Sequence, residues 1–142
     1  MDTNIVLRLC QPEHPHHLAA KRAVTRLIDQ ETSCVITPQI AAEFWSVCTR
    51  PAAANGFGLT PFAAAEKLHD FETLFPIHAG KPDAEYSVWK QLLTTLDIKG
   101  VQAHDARLAA FMIVNDIPRI LTFNGADFQR FTGITVHHPD SV

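Results

Sequence analysis

Short β-branched or apolar runs alternate with longer helical patterns along this chain, and this alternation limits the folds that are open to it. The clearest runs are residues 33–37, 119–123 and 134–137. Around them, apolar residues recur at helical spacing. Such alternation is typical of parallel βαβ units, in which ligands bind beyond the carboxyl ends of the strands. The sequence therefore predicts an α/β fold with a parallel sheet.

Local start signals mark several of the predicted helices. Thr37-Pro38 and Thr60-Pro61 each combine an N-cap residue with a proline that suits the first helical turn. The first pair predicts a helix that carries Glu43, and the second predicts a helix that reaches about Leu74. The other predicted elements are a helix ending near Gln30 with a short one before it, a loop over 50–58, a possible strand over 75–78, helices over 83–96 and 105–115, and a short helix or turn over 127–131.

The apolar positions of the 83–96 segment predict an amphipathic helix. Its apolar residues are Tyr86, Val88, Trp89, Leu92, Leu93 and Leu96. Aromatic side chains of this kind can stack on nucleic-acid bases, but on apolar helix faces core packing is the ordinary explanation. The sequence therefore favours core packing for both tryptophans and most phenylalanines.

Length and composition predict a single packed domain over residues 1–142. A chain of 142 residues can bury one substantial core and is short for two ordinary domains. Its three cysteines lie in apolar stretches without metal-ligand spacing, which favours reduced core thiols in a cytoplasmic protein. No basic segment followed by an apolar region opens the chain, and no apolar run approaches the ~20 residues that span a bilayer, so we expect no export and no membrane partner.

Four acidic residues lie against apolar sequence: Asp2, Glu43, Asp105 and Asp127. Carboxylates are rarely buried without a partner. The chain has 15 Asp and Glu but only 12 Lys and Arg, so cationic side chains cannot pair with every carboxylate. Mg²⁺ and Mn²⁺ prefer such hard oxygen ligands. Any one acid could instead cap a helix or face solvent, and the helix dipole alone would explain Asp105. Glu43 is the hardest to explain in that way, because apolar residues surround it.

The segments around these acids resemble the PIN-domain ribonucleases, and most closely the VapC-type toxins of bacterial toxin-antitoxin pairs. The resemblance covers essentially the whole chain. Four ordered blocks and a final apolar segment carry it: Met1-Asp-Thr-Asn-Ile-Val-Leu-Arg-Leu, Ala42-Glu-Phe, His104-Asp-Ala-Arg-Leu-Ala-Ala, Leu121-Thr-Phe-Asn-Gly-Ala-Asp-Phe-Gln-Arg-Phe and Gly133-Ile-Thr-Val-His-His-Pro.

The resemblance implies a three-layer α/β/α fold with a central parallel sheet. It also implies that Asp2, Glu43, Asp105 and Asp127 form an acidic site for Mg²⁺ or Mn²⁺. The side chains expected to shape this site or to contact substrate are Thr3, Asn4, Thr122 and Asn124. In the family an apolar strand normally precedes Asp-Thr-Asn, whereas Met1 directly precedes Asp2 here. The first strand is therefore expected to be truncated.

The implied activity is metal-dependent hydrolysis of RNA phosphodiester bonds by the toxin of a toxin-antitoxin system. The implied partners are an RNA substrate, a cognate antitoxin that lays a helix into a groove, and a second copy of the chain docked through the helix over 61–74. Because the net charge is negative, RNA binding needs a local patch or a bound cation. The candidate phosphate contacts near the motif blocks are Arg8, Arg50, Arg107 and Arg130, although surface solubility explains single arginines equally well.

Two other functions stay open at this point. The abrupt amino terminus and the negative charge are compatible with a catalytically silent RNA-binding or regulatory module. The same carboxylates could also serve a metal phosphatase that acts on small phosphate esters. A zinc site at His14, His16 and His17 is disfavoured, because nothing in the surrounding sequence completes the four ligands.

Overall fold

The computed structural model describes all 142 residues and divides the chain into two compact units. The first unit comprises residues 1–78 together with Val142, and the second comprises residues 79–141. The helices of the first unit are α1 (Thr3–Leu9), α2 (His17–Asp29), α3 (Pro38–Thr49) and α4 (Pro61–Leu74). The second unit contains α5 (Pro82–Thr95), α6 (Gln102–Val114), β1 (Arg119–Leu121), α7 (Gly125–Phe128) and β2 (Thr135–His137).

The threonine-proline signals start α3 and α4 as predicted. Thr37 Oγ1 accepts a hydrogen bond from the backbone N–H of Ile40, and Thr60 Oγ1 accepts one from the backbone N–H of Ala63. The donor–acceptor distance is 3.2 Å in both. Each bond satisfies one of the donors that a helix leaves free in its first turn. The longest helices have 14 residues, and none is both long and apolar enough to cross a membrane.

A buried aromatic cluster joins α3 to α4 in the first unit. Phe44 of α3 is fully buried, and its ring forms a T-shaped contact with that of Phe71 at a centroid distance of 5.4 Å. Phe71 in turn stacks on Phe75 at 6.2 Å. The helix α1, in which Ile5 and Val6 are buried, packs against α2 and α3. These contacts fix the backbone of α3 around Glu43.

The predicted strands over 33–37 and 75–78 are reduced to a single parallel bridge between Ile36 and Ile77. The backbone N–H of His78 donates to Ile36 O over 2.9 Å. Because α3 begins at Pro38, with Thr37 as its N-cap, the strand pairing ends at Ile36. Ahead of α1, the Met1 nitrogen donates to Val35 O over 2.9 Å, and Asp2 is extended.

In the second unit, α6 supplies most of the core. Its buried residues are Ala106, Leu108, Ala109, Ala110, Phe111 and Met112. The strands β1 and β2 are parallel, with Ile120 opposite Val136, which confirms the predicted parallel pairing. The short helix predicted from Asp127 instead begins at Gly125. The amphipathic prediction for α5 is confirmed, since α5 packs against α6 and the predicted apolar residues other than Tyr86 are half-buried. Tyr86 is the exception and is 60% exposed.

All three cysteines are free thiols in the structure, as predicted from their sequence context. Cys48 is fully buried in the first unit, whereas Cys10 and Cys34 are half-buried. Burial raises the pKa of the Cys48 thiol from 9.0 to about 11, with a smaller contribution from Cys10. Burial also raises the pKa of the other two thiols. Each thiol is therefore protonated in the folded chain at neutral pH.

This protonation makes stability sensitive to alkaline pH. Above pH 9 the unfolded chain ionises Cys48, while the folded chain keeps the thiol protonated until about pH 11. The unfolded state then binds fewer protons, so the free energy of unfolding should fall as pH rises through this range. Urea denaturation at pH 8, 9, 10 and 11 measures the effect. The Cys48→Ala variant should show a shallower decline, and an equal decline would contradict the assignment.

Candidate metal centre

Glu43 is held at both carboxylate oxygens by side chains of the first unit. Its Oε2 accepts a hydrogen bond from Thr3 Oγ1, and its Oε1 accepts one from Gln39 Nε2 over 2.8 Å. The buried neighbours Ile40 and Phe44 anchor α3 on either side of this carboxylate. A carboxylate oxygen has two lone pairs, so each oxygen keeps capacity for a further ligand. Glu43 is therefore oriented but not saturated.

Asp2 lies in the extended residue that precedes α1. Its Oδ2 accepts a hydrogen bond of 2.6 Å from Asn4 Nδ2, two residues further along. The conformation of the Asp-Thr-Asn segment thus sends Thr3 to Glu43 and Asn4 to Asp2. Of the four residues predicted to shape the site or to contact substrate, Thr3 and Asn4 each contact a predicted acid.

Asp105 and Asp127 belong to the second unit. Asp105 lies in the first turn of α6, where the positive end of the helix dipole favours a carboxylate, and it is half-buried. The buried residues Ala106 and Leu108 follow it and fix the helix backbone. Asp127 lies in α7 and is also half-buried, next to the buried ring of Phe128.

A hydrogen-bonded turn places Asn124 ahead of α7. Thr122 is fully buried, and its Oγ1 accepts a bond of 2.9 Å from the backbone N–H of Asn124. The backbone N–H of Asp127 donates to Asn124 O over 3.2 Å. A Cβ at Gly125 would approach the Val136 side chain to 2.9 Å, so a glycine suits this close passage of α7 against β2. The Thr122 side chain therefore stabilises the turn, and Asn124 is exposed.

The donor chemistry of the four predicted acids fits a hard cation such as Mg²⁺ or Mn²⁺, because each offers carboxylate oxygens. Each unit holds two of these acids: Asp2 and Glu43 in the first, Asp105 and Asp127 in the second. Neither unit brings together three or more histidine, cysteine, aspartate or glutamate side chains as a metal-binding group. The convergence of all four acids on one ion stays a prediction.

The sequence reading missed Gln39 as a partner of Glu43. Residues four apart lie on the same helix face, so the Gln39–Glu43 spacing was a usable signal.

A second contact that was not predicted from the sequence involves Glu85 of α5, whose carboxylate is held by two donors. Its Oε1 accepts from the Lys81 backbone N–H at 2.6 Å and from Asn115 Nδ2 at 2.7 Å. Asn115 lies 30 residues further along, so no local pattern could have shown that contact.

The family model of the PIN domain matches residues 1–134, so the chain belongs to the PIN-domain family. PIN domains are generally nucleases. The chain also resembles a chain in the crystal structure of VapBC2 from Rickettsia felis bound to a DNA fragment from their promoter. The TM-score is 0.68 at 15% identity, over 96% of this chain and 95% of that chain. No curated protein matches the sequence.

These comparisons confirm the predicted PIN-like α/β fold. At 15% identity, the likeness to the VapBC2 chain shows the fold alone. The family match is independent of that likeness and spans all four predicted acids, Asp2, Glu43, Asp105 and Asp127.

Proposed function

We propose that this chain is a Mg²⁺- or Mn²⁺-dependent endoribonuclease in which Asp2, Glu43, Asp105 and Asp127 hold the ion. The observation that carries the proposal is the PIN-domain match over residues 1–134, which contains all four acids. The two hydrogen bonds that orient Glu43 support it, because carboxylates that bind metals are commonly positioned by such partners. When bound, the ion neutralises charge on phosphate oxygens and makes water more acidic.

The chain's own residues perform the positioning in this function. Thr3 and Gln39 hold the Glu43 carboxylate in one orientation, and Asn4 does the same for Asp2. The buried Thr122 side chain shapes the turn that presents Asn124, the predicted substrate contact. Preorganised groups of this kind lower a barrier because they need no rearrangement during the reaction.

We further propose that the chain is the toxin of a toxin-antitoxin pair and acts in the cytoplasm. The fold resemblance to a chain from the VapBC2 complex supports a protein partner of the antitoxin kind. The proposed homodimer would use α4, where Phe62 is 73% exposed and Leu74 is 63% exposed. Large apolar side chains on one exposed helix are the composition expected of a protein interface.

A cleavage assay with the full chain tests the nuclease proposal. We expect single-stranded RNA to be cut in Mg²⁺ or Mn²⁺, cutting to stop in excess EDTA, and activity to return when the metal is restored. RNA association without turnover would instead favour the silent regulatory module. Faster hydrolysis of a small phosphomonoester than of RNA would favour the phosphatase. Either of these two results would overturn the proposal.

Thr3→Val tests whether the hydroxyl bond to Glu43 positions a metal ligand. Valine keeps the shape of the buried threonine but removes the donor to Glu43 Oε2. We expect the metal concentration for half-maximal cleavage to rise about 10- to 100-fold, the usual effect of losing such a partner. Manganese titration calorimetry gives a readout that is independent of RNA.

Thr73→Val is the matched control, because the Thr73 hydroxyl bonds only within α4, to His69 O. The control should leave manganese affinity unchanged. Equal affinities for the Thr3→Val variant and the unmodified chain would show that Thr3 has no part in metal binding.

A further inference from the structure

A groove of about 450 Å³ opens between α5 and α6 of the second unit. Tyr86 and Trp89 line it from α5, and His104 and Arg107 line it from α6. Each pair is separated by three positions, the spacing that places two side chains on one face of a helix. The groove therefore presents an aromatic wall opposite a basic wall.

The aromatic wall is both rigid and accessible. The Trp89 indole N–H donates a hydrogen bond of 2.9 Å to Ala103 O, which fixes the ring against α6. Tyr86 is 60% exposed, and its ring lies 5.9 Å from that of Trp89 at an interplanar angle of 46°. Two tilted rings, one anchored and one open to solvent, offer faces on which planar groups can stack.

Arg107 supplies the fixed positive charge of the basic wall. No ion pair joins Arg107 to a carboxylate. The carboxylate in the groove belongs to Glu85, whose Oε1 already accepts bonds from Lys81 and Asn115. An anion that enters the groove can therefore pair with Arg107.

Planar faces beside a cationic side chain match the chemistry of a single-stranded nucleotide, which carries a base and a phosphate. Aromatic rings bind bases by stacking with little sequence preference, and a basic groove follows the backbone. Asp105, a predicted metal ligand, lies in the sequence between His104 and Arg107 in the opening turns of α6. An RNA strand whose phosphate reaches Asp105 would place a neighbouring nucleotide near this groove.

We propose that the groove formed by Tyr86, Trp89, His104 and Arg107 is a base-stacking subsite for single-stranded RNA. This inference rests on the proposed nuclease function and adds to it where the substrate is held. Tyr86 and Trp89 stack on a base next to the cleaved bond, and Arg107 pairs with its phosphate. The ligand class is single-stranded RNA, bound by stacking instead of by base-specific hydrogen bonds.

Tryptophan fluorescence tests the subsite without cleavage. In the full chain carrying Glu43→Gln and Trp45→Phe, Trp89 is the sole tryptophan and the groove is unchanged. Titration with an oligoribonucleotide of about ten nucleotides, within the usual site size, should quench its emission. Tyr86→Leu should weaken binding roughly tenfold, and Tyr86→Phe, which keeps the ring, should bind within about twofold of the parent.

Salt dependence tests the role of Arg107. Arg107→Gln should reduce the slope of log Kd against log salt by about 0.7, the contribution of one phosphate contact to a single strand. Arg22→Gln removes an exposed arginine from α2, in the first unit, and should leave the slope unchanged.

Three outcomes would overturn the subsite: RNA that binds without a change in Trp89 emission, no RNA binding at all, or a Tyr86→Leu variant that changes only the oligomeric state.

Steady-state kinetics of the active chain separates this inference from the nuclease proposal. If Tyr86→Leu raises KM with little effect on kcat, the subsite is supported. If RNA is cleaved but KM is unchanged, the subsite fails and the nuclease stands. Quenching that depends on Tyr86 in a chain that never cleaves RNA would leave the subsite standing alone.

Discussion

Asp105→Asn should lower the rate of metal-dependent RNA cleavage by at least about 10³-fold, because a bound cation supplies several kcal/mol of charge stabilisation that its ligands must maintain. Asparagine matches aspartate in shape and lacks the charge. The residues that follow Asp105 in α6 include Ala106, Leu108 and Ala109, which are buried. The backbone of α6 should therefore stay in place, and the loss should reflect the carboxylate itself.

The same substitution should have only a small effect on stability. Asp105 lies in the first turn of α6, where a negative charge interacts with the helix dipole. Losing that interaction costs about 0.3–1 kcal/mol. If Asp105 served only as a helix-dipole partner, stability would fall by this amount and activity would not change. Cleavage rate and urea denaturation together therefore distinguish the two roles.

Asp83→Asn is a matched control for this prediction. Asp83 lies in the first turn of α5, so the substitution also removes a negative charge from the amino-terminal end of a helix. We expect a similar loss of stability and no loss of cleavage. RNA cleavage that persists in Asp105→Asn and also in EDTA would exclude the metal mechanism.

Phe44→Ala should reduce the free energy of unfolding by about 3–5 kcal/mol, the usual cost of emptying a buried phenylalanine site. Phe44 is fully buried, and its ring forms a T-shaped contact with that of Phe71. Domains of this size are stable by only about 5–15 kcal/mol, so the variant should be partly unfolded under mild conditions. Urea denaturation followed by circular dichroism measures the change.

Phe62→Ala makes the same replacement at an exposed position, because Phe62 is 73% exposed on α4. It should change stability by no more than about 0.5 kcal/mol in the monomer. If the two variants lose equal stability, the buried aromatic cluster is not what holds α3 in place. If only Phe44→Ala is destabilised, then the helix that carries Glu43 depends on that cluster.

Most helices could be predicted from sequence, whereas strand lengths could not. The predicted and observed bounds of α4 agree, because Thr60 and Pro61 act on backbone groups within the first turn. The strand predicted over 33–37 depends on pairing with residues some 40 positions away. The observed pairing is one bridge, Ile36 to Ile77, and Pro38 already belongs to α3.

For the candidate site too, some features could be predicted from the sequence and others could not. The apolar neighbours of Glu43 marked it in the sequence as a candidate metal ligand. The donor to Glu43 Oε2 was not evident from the sequence, because Thr3 lies 40 residues earlier in the chain. The core role predicted for Trp89 also needed correction, since its ring is anchored to Ala103 but lines a groove.

The sequence by itself determined where α3 and α4 begin, because capping signals reside in neighbours within one helical turn. It also determined the family of the chain and the candidate metal-binding acids, because the order of short motifs along a chain is a property of its sequence. Only the tertiary structure decided that Thr3 holds Glu43, how far the parallel strands pair, and that Tyr86 and Trp89 face a groove beside Arg107. The physical reason is distance along the chain. Hydrogen bonds and packing between remote segments depend on the whole fold, and no local pattern encodes them.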